Sequence, residues 1–187
     1  MLSPIYPFDI SVKCEYVYYK MDCEKTLEYD YTGHIQVILG PVYSGKTTEL
    51  MRRLRRHSFA KRNCVLIQHD DVTDQKINTL CTKSVESIIG DVGNCDVVGI
   101  DQGHLFTDIA EACEILANQG KTVIVAAMDG TVTRKPFQDI VKLIPLSEYV
   151  TKLTAVCSRC YGEAAFTQTQ NELPKYVAIC RQCNMLR

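Results

Sequence analysis

Short runs of mainly apolar, often β-branched residues recur along the chain from residue 34 onward. Such runs are typical of strands that are buried on both faces of a parallel sheet. They predict strands over residues 34–39, 64–68, 96–100, 122–127 and 150–156. The polar stretch at 69–94 is ambiguous by this criterion.

Two segments between these runs instead repeat apolar residues at helical spacing. Residues 48–60 have one apolar face surrounded by arginines, and residues 108–119 have an apolar stripe that ends at Gly120. Thr107 is the predicted N-cap of the second helix. The apolar helix positions are Leu50, Met51, Leu54, Ile109, Cys113 and Leu116. Strands that alternate with helices predict an α/β fold, with a parallel sheet flanked by helices.

The overall composition fits a globular protein of this class. The chain has 187 residues, 46% of them hydrophobic, and a formal net charge of −1. This length suits one domain with a small appendage. The near-neutral charge gives no indication of nucleic acid or membrane as a partner.

The N-terminal sequence, MLSPIYPFDI, lacks the basic start and apolar run of a signal peptide. No stretch approaches the ~20 apolar residues that are needed to span a membrane. We therefore expect a cytoplasmic protein. In that reducing compartment the ten cysteines should be thiols or metal ligands rather than disulfides.

The loop after the first predicted strand matches the phosphate-binding pattern G-x-x-x-x-G-K-[ST]. Its glycines let backbone amides turn toward phosphate oxygens, and the N-terminus of the next helix adds positive potential. A chance match is the alternative, but the flanking strand and helix argue against it. The predicted ATP-binding residues are Gly40, Pro41, Val42, Tyr43, Ser44, Gly45, Lys46 and Thr47.

A phosphate loop of this kind needs a carboxylate for the Mg²⁺ ion that accompanies ATP. Asp101 directly follows the predicted strand at 96–100, where such a carboxylate lies. A strand-terminal Asp is often only a turn residue, and the phosphate loop favours the metal interpretation. We predict that Lys46 contacts the β- and γ-phosphates and that Thr47 and Asp101 hold Mg²⁺.

Two Cys-x-x-Cys pairs lie near the C-terminus, Cys157 with Cys160 and Cys180 with Cys183. The nineteen residues between the pairs fall within the spacing of a structural zinc site. Four cysteines complete a tetrahedron, which leaves no coordination position for catalysis. Redox-active pairs or disulfides are the alternatives, and a reducing compartment favours zinc.

Two features invite a nucleic-acid interpretation. The arginines at positions 52, 53, 55 and 56 surround one predicted helix, which fits a solvated face or a subunit contact better. The cysteine-rich tail resembles a zinc ribbon, but its basic residues are few and scattered. We therefore expect no nucleic-acid partner.

Three segments follow from these patterns. Residues 1–32 hold six of the ten tyrosines and follow no sustained period. They are predicted to be an N-terminal extension, and a poorly ordered terminus is the simplest interpretation. Residues 33–150 form the predicted P-loop α/β nucleotide-binding domain, and residues 151–187 form a small, zinc-ribbon-like lobe.

Several longer segments match one known family in the same order and at the same spacing. They are GPVYSGKTTELMRRLRR (40–56), VGIDQGH (98–104), GKTVIVAA (120–127), DGT (129–131), RKPF (134–137) and KLTAVC (152–157). From about residue 33 to the C-terminus, the chain resembles the thymidine kinases of the cellular and poxviral type. Residues 1–32 lie outside the resemblance.

The resemblance implies transfer of the ATP γ-phosphate to the 5′-hydroxyl of thymidine, a deoxynucleoside salvage step for DNA synthesis. It also implies structural Zn²⁺, Mg²⁺ with ATP, and a homotetramer or homodimer. A segment called the lasso, between residues 165 and 176, would close over the base. The implied catalytic residues are Lys46, Asp101 and Gln102, and the implied substrate-binding residues are Leu105, Met128, Val132, Phe137 and Tyr176.

Several positions depart from the family pattern on the nucleoside side. Gln102 stands where the family has the Glu that accepts the hydroxyl proton, and Leu105 and Val132 replace aromatic residues. The lasso, residues 167–175, is short and lacks a Gly-Gly pair. Because an amide accepts no proton at neutral pH, Gln102 predicts an impaired enzyme. An ATP-binding pseudoenzyme with weak or no kinase activity is the alternative, and His104 as a replacement base is a further hypothesis.

Overall fold

The structure is a computed structural model that describes residues 33–69 and 77–185. The predicted N-terminal extension, residues 1–32, lies outside the described residues. The described chain is built on a six-stranded sheet in which every neighbouring pair of strands is parallel. The predicted parallel α/β fold is therefore confirmed.

The strands of this sheet are β1 (His34–Leu39), β2 (Cys64–Gln68), β3 (Asn78–Cys81), β4 (Val97–Ile100), β5 (Thr122–Ala127) and β6 (Tyr149–Lys152). Their order in the sheet is β3-β2-β4-β5-β1-β6, so β5 lies between β1 and β4. The central strands β4 and β5 are fully buried because helices cover both faces, which explains their unbroken apolar sequences.

Three helices flank the sheet, namely α1 (Lys46–Phe59), α2 (Ile109–Asn118) and α3 (Gln138–Leu143). Helix α1 packs its predicted apolar residues against one face, and α2 and α3 pack against the other. The fit of α1 is close, because a Cβ added at Gly99 of β4 would lie 2.6 Å from Cδ1 of Leu54. This packing holds the start of α1 near the end of β4.

One ambiguous segment is resolved by the structure, and one local prediction needs correction. Strand β3 lies in the polar stretch that is ambiguous in the sequence, and it is a short edge strand with no buried residue. Thr107 is not the N-cap of α2, because that position belongs to Asp108. The carboxylate of Asp108 instead accepts hydrogen bonds from the hydroxyl of Ser84 at 2.7 Å and the N–H of Glu86 at 2.9 Å. It therefore ties the preceding loop to α2.

The predicted strand over 150–156 is divided between two sheets. Its first part is β6, which pairs with β1, and its last part is β7 (Ala155–Val156), which pairs with β8 (Glu163–Ala164). The C-terminal lobe also contains the antiparallel pair of β9 (Phe166–Thr169) and β10 (Tyr176–Ile179), followed by α4 (Arg181–Met185). Strand β6 spans the predicted boundary at residue 150, and that division of the chain stays a prediction.

A small separate core supports the lobe. It contains the buried side chains of Ala155, Cys157, Ala164, Ala178 and Ile179, and Val42 packs against them. Within residues 33–69 and 77–185, no helix has the length and apolar character needed to cross a membrane.

Candidate functional site

The phosphate-binding pattern forms a tight loop between β1 and α1. Gly45 has a φ of 81° and directly precedes the first residue of α1, a left-handed conformation that glycine adopts without steric cost. Gly40 lies against the backbone of Leu153, since a Cβ at position 40 would be 2.6 Å from the carbonyl oxygen of that residue. These two glycines allow the loop to curl around the amide-rich start of the helix, which is a ready site for an anion.

The side chain of Lys46 lies over this loop. Its ammonium donates to the carbonyl oxygen of Pro41 at 2.5 Å and to the hydroxyl of Ser44 at 3.3 Å. Burial lowers the pKa of Lys46, while the nearby carboxylates of Asp101 and Asp129 oppose this shift. Phosphate oxygens would offer this ammonium stronger, charge-assisted partners than a carbonyl does.

Thr47 and Asp101 meet at the carboxyl end of the sheet. The Thr47 hydroxyl lies 3.0 Å from both carboxylate oxygens of Asp101, which is 5% exposed. Burial raises the pKa of Asp101, and hydrogen bonds from Thr47 and from the N–H of Gln102 partly offset the shift. A hydroxyl and a carboxylate side by side are the oxygen ligands that Mg²⁺ prefers, so these two residues fit the ion.

The turn after β4 brings two further residues, Gln102 and His104, to the site. Gln102 is exposed and has a left-handed backbone with a φ of 53°. Nδ1 of His104 accepts a hydrogen bond from the N–H of Met128 at 3.3 Å, and its ring centroid lies 4.9 Å from that of Phe137. Burial lowers the pKa of His104 to about 4. The Nδ1 lone pair is engaged in a hydrogen bond and the pKa is low, so both observations argue against His104 as a general base.

A cavity of about 250 Å³ lies beside the phosphate loop. Val42 of the loop forms part of its wall, so the cavity and the loop share a boundary. Its volume is close to the lower end of small-molecule sites, roughly 300 Å³. Aromatic, aliphatic and hydroxyl side chains are all present among its lining residues, which are Val42, Met128, Gly130, Thr131, Val132, Phe137, Thr167, Thr169 and Tyr176.

A larger cavity of about 710 Å³ lies away from the phosphate loop, between α1 and the edge strand β6. Arg52, Arg53 and Arg56 line it, but their charges are partly satisfied within the protein. Glu49 pairs with Arg52 at 2.6 Å and with Arg53 at 2.8 Å, and these contacts lower the pKa of Glu49 to about 2. Arg52 and Arg53 therefore have a carboxylate partner on their own helix, and the interpretation of the arginines as a solvated face or a subunit contact stays a prediction.

The four C-terminal cysteines converge in the lobe. The sulfur atoms of Cys157, Cys160, Cys180 and Cys183 all lie within 4.8 Å of one another, and those of Cys160 and Cys180 are 3.6 Å apart. Thiolates bound to one tetrahedral ion at roughly 2.3 Å have such separations. The N–H groups of Cys180 and Cys183 each donate to a cluster sulfur at 3.4 Å. The close approach joins the two pairs, so the four cysteines could hold one zinc ion rather than form two independent redox motifs.

Comparisons with known proteins show which family the chain is similar to. The family model for thymidine kinase matches residues 33–184. The chain belongs to the thymidine kinase family. It is 46% identical over 175 residues to Thymidine kinase 1 of Dictyostelium discoideum, covering 81% of this chain and 77% of that relative. It is 45% identical over 170 residues to the thymidine kinase of Raccoon poxvirus, covering 81% and 96% of the two chains.

Viral relatives also match over nearly their whole length. The thymidine kinase of Rabbit fibroma virus (strain Kasza) is 41% identical over 172 residues, covering 82% of this chain and 97% of that relative. The matched family region begins at residue 33, one residue before β1. Membership of the thymidine kinase family therefore rests on the part of the chain that carries both the phosphate loop and the cysteine cluster.

The structure of this thymidine kinase family member brings most of the sequence-predicted site residues together. Met128, Val132, Phe137 and Tyr176 line the cavity beside the loop, whereas Leu105 is 40% exposed and is not a lining residue. The role of all five in substrate binding stays a prediction. Thr131, Thr167 and Thr169 also line the cavity. These threonines are not among the predicted site residues, although Thr167 and Thr169 alternate along one strand and therefore share a face.

Proposed function

We propose that this protein is an ATP-dependent kinase that transfers the γ-phosphate of ATP to the 5′-hydroxyl of thymidine. The supporting observation is that the phosphate loop, the Thr47–Asp101 pair and the neighbouring cavity adjoin one another. Val42 belongs both to the loop and to the cavity wall. A nucleoside in the cavity would therefore place its hydroxyl close to the terminal phosphate, and positioning accounts for much of the catalysis in phosphoryl transfer.

The phosphate side of the proposed site uses residues 40–47 and Asp101. Amides at the start of α1 would cradle the phosphates, and the Lys46 ammonium would exchange the carbonyl of Pro41 for phosphate oxygens. Thr47 and Asp101 would hold Mg²⁺, which neutralises phosphate charge when it is bound. Gln102, beside Asp101, would orient the acceptor hydroxyl without taking its proton.

The nucleoside side of the proposed site is the 250 Å³ cavity. Phe137 is held by its contact with His104, which makes it a rigid wall for a flat base. Met128 and Val132 add apolar surface, and Tyr176 begins the strand that follows the lasso. An apolar cavity with a few hydroxyl groups suits a nucleoside.

A nucleoside kinase assay tests the proposal. Purified protein with Mg·ATP and a panel of nucleosides should convert thymidine to its monophosphate, both in steady state and in a single turnover at stoichiometric enzyme. Product in the single turnover with slow steady-state turnover would support an impaired kinase. Absence of product in both, with normal ATP binding, would replace the proposal by nucleotide binding without catalysis.

We also propose that the cysteine cluster binds one structural zinc ion per chain. Cys160→Ser should lower the zinc content well below one ion per chain and weaken thymidine binding through the lobe. The loss of zinc affinity should be at least the roughly 10- to 100-fold that follows loss of a residue supporting a metal site. Metal analysis and thymidine titration measure the two effects.

Cys95→Ser is the matched control, because Cys95 is a half-buried thiol outside the cluster. It should keep both the zinc content and the thymidine affinity of the unmodified protein. Folded protein that contains no zinc would contradict the prediction.

The edge strand β6 supports a homo-oligomer, which we propose as the assembly. β6 pairs only with β1 in the sheet of the described residues, and Tyr149 and Val150 are 61% and 46% exposed beside its open edge. An exposed apolar edge readily pairs with another chain. Sedimentation velocity should show a dimer or tetramer, and Val150→Lys should shift it toward the monomer.

Val156→Lys places the same charge at a comparably exposed site in the lobe and should leave the assembly intact. A monomeric wild-type protein would contradict the assembly but not the kinase activity. A cytoplasmic location without membrane or nucleic-acid partners stays a prediction.

A further inference from the structure

A side chain of the C-terminal lobe is bonded directly to the phosphate loop. The backbone N–H of Val42 donates to the hydroxyl of Thr167 over 3.1 Å, although the two residues are 125 positions apart in the sequence. Thr167 is only 6% exposed, so water competes little for this hydrogen bond. The first half of the loop is therefore held by a residue that belongs to the lobe.

The hydrogen bond to Val42 affects the conformation of the loop because of the residues on either side of Val42. Pro41 has no N–H, and its carbonyl oxygen already accepts from Ser44 and Lys46. Tyr43 has a φ of 59°, a left-handed conformation that is unfavourable for a residue with a side chain. Fixing the N–H of Val42 sets the orientation of the peptide that enters this strained turn. The amides that follow are thereby aimed at the start of α1.

Thr167 is in turn held close to the cysteine cluster. In the β9–β10 pair it lies opposite Ala178, whose carbonyl oxygen accepts from the N–H of Ser158 at 3.0 Å. Ser158 directly follows the cluster residue Cys157. The neighbouring Phe166 also packs against a guanidinium, with Cζ of Arg181 4.9 Å from its ring centroid. Strand β9 is therefore fixed by the same segments that hold the cysteines.

Thr167 also lines the 250 Å³ cavity beside the loop, together with Val42. It also lines a cavity of about 200 Å³, together with Asp129, Arg134 and Lys152. One buried threonine thus bonds to the loop through its hydroxyl and forms part of the wall of the proposed nucleoside site. Any ligand that restrains β9 must also restrain the bond to Val42.

We propose that Thr167 is a positioning residue that couples the nucleoside cavity to the phosphate loop. Nucleoside in the cavity orders β9, and the Thr167 hydroxyl then holds the loop in its phosphate-binding form. Nucleoside and nucleotide consequently bind with positive cooperativity. The proposal rests on the proposed function, because it takes thymidine as the occupant of the cavity.

The experiment measures the affinity for a fluorescent Mg·ADP analogue with and without saturating thymidine. In the wild-type protein we expect thymidine to tighten ADP binding by about 5-fold or more, a usual size for coupling between two sites. Thr167→Val keeps the shape of the side chain but removes the acceptor. In this variant the ratio of the ADP affinities with and without thymidine, which is the coupling ratio, should fall to about 1. The affinity for ADP in the absence of thymidine should weaken by roughly 5- to 10-fold, since the N–H of Val42 loses its partner.

Two variants separate this role from a general effect on packing. Thr167→Ser keeps the hydroxyl and should keep the coupling. Thr169→Val alters another threonine of the cavity wall that lies on the same strand, and it should affect thymidine affinity without changing the coupling ratio. Zinc content and thermal unfolding establish that each variant is folded.

The proposal is overturned if folded Thr167→Val retains the wild-type coupling and ADP affinity. It is also overturned if folded Thr167→Ser loses the coupling, or if folded Thr169→Val loses it. The results for Thr167→Ser and Thr169→Val test the proposal even if Thr167→Val fails to fold. If the wild-type protein does not bind thymidine, both the proposed function and the coupling are contradicted. The ADP affinity of Thr167→Val still tests in that case whether Thr167 positions the loop.

Discussion

Lys46→Ala is expected to lower kcat for thymidine phosphorylation by about 10²- to 10³-fold, the usual loss when one charge-stabilising group is removed from a transition state. Mg·ATP affinity should fall as well. The ammonium of Lys46 already lies over the loop, bonded to the carbonyl of Pro41, so it is placed to meet the terminal phosphates. Steady-state kinetics and a direct ATP titration measure the two losses.

The matched control is Arg55→Ala, which removes an exposed positive charge from the same helix but away from the loop. It should leave kcat and ATP affinity within about 2-fold of the wild-type values, because exposed charges are largely screened. Unchanged Mg·ATP affinity in Lys46→Ala would show that the loop does not bind the nucleotide phosphates.

Gln102→Glu is expected to raise kcat by about 10-fold to 10³-fold. A positioned base contributes about 10² to 10⁴ in rate, and the loose transition state of phosphoryl transfer lowers this gain. Gln102 is exposed and adjoins Asp101, so a carboxylate there would reach the acceptor hydroxyl without a burial penalty. Glutamine and glutamate have the same length, and the KM for thymidine should therefore change little.

Gln119→Glu, which adds the same charge at the exposed end of α2, should not change kcat. If kcat does not rise in Gln102→Glu and the wild type is inactive, the protein no longer binds the nucleoside because of the short lasso, Leu105 and Val132. If kcat does not rise and the wild type already turns over rapidly, the hydroxyl proton leaves by another route. His104 is a poor candidate for that route because burial lowers its pKa to about 4.

The central elements of the fold could be predicted because their burial is visible in the sequence itself. Strands β1, β2, β4 and β5 are apolar along nearly their whole length, and each was predicted to within one residue. Strand β3 has no such signal, since an edge strand needs no buried residue. The break between β6 and β7 was equally invisible, because the segment keeps a strand-like composition while it passes from one sheet to the other.

Motifs predicted the parts of the site that depend on local spacing. The phosphate loop, Asp101 and the four cysteines each follow from a short pattern. The family resemblance supplied Met128, Val132, Phe137 and Tyr176 of the cavity wall. The other lining residues could not be predicted, because the wall combines the loop, the turn after β5 and the lobe strands. Thr167 lies at the start of the predicted lasso, but its hydrogen bond to the loop had no sequence signal. Its position depends on the packing of the lobe against the loop, which is a long-range property.

The placement of β5 between β1 and β4 has a consequence for how the protein folds. The phosphate loop follows β1 and Asp101 follows β4, so Thr47 reaches Asp101 across the end of an intervening strand. Three distant segments of the chain must assemble in register before this contact exists. Pairings of this kind are slow to form. Nucleotide consequently favours chains in which β1, β5 and β4 are already paired, and mass action by ATP draws partly folded molecules toward that state.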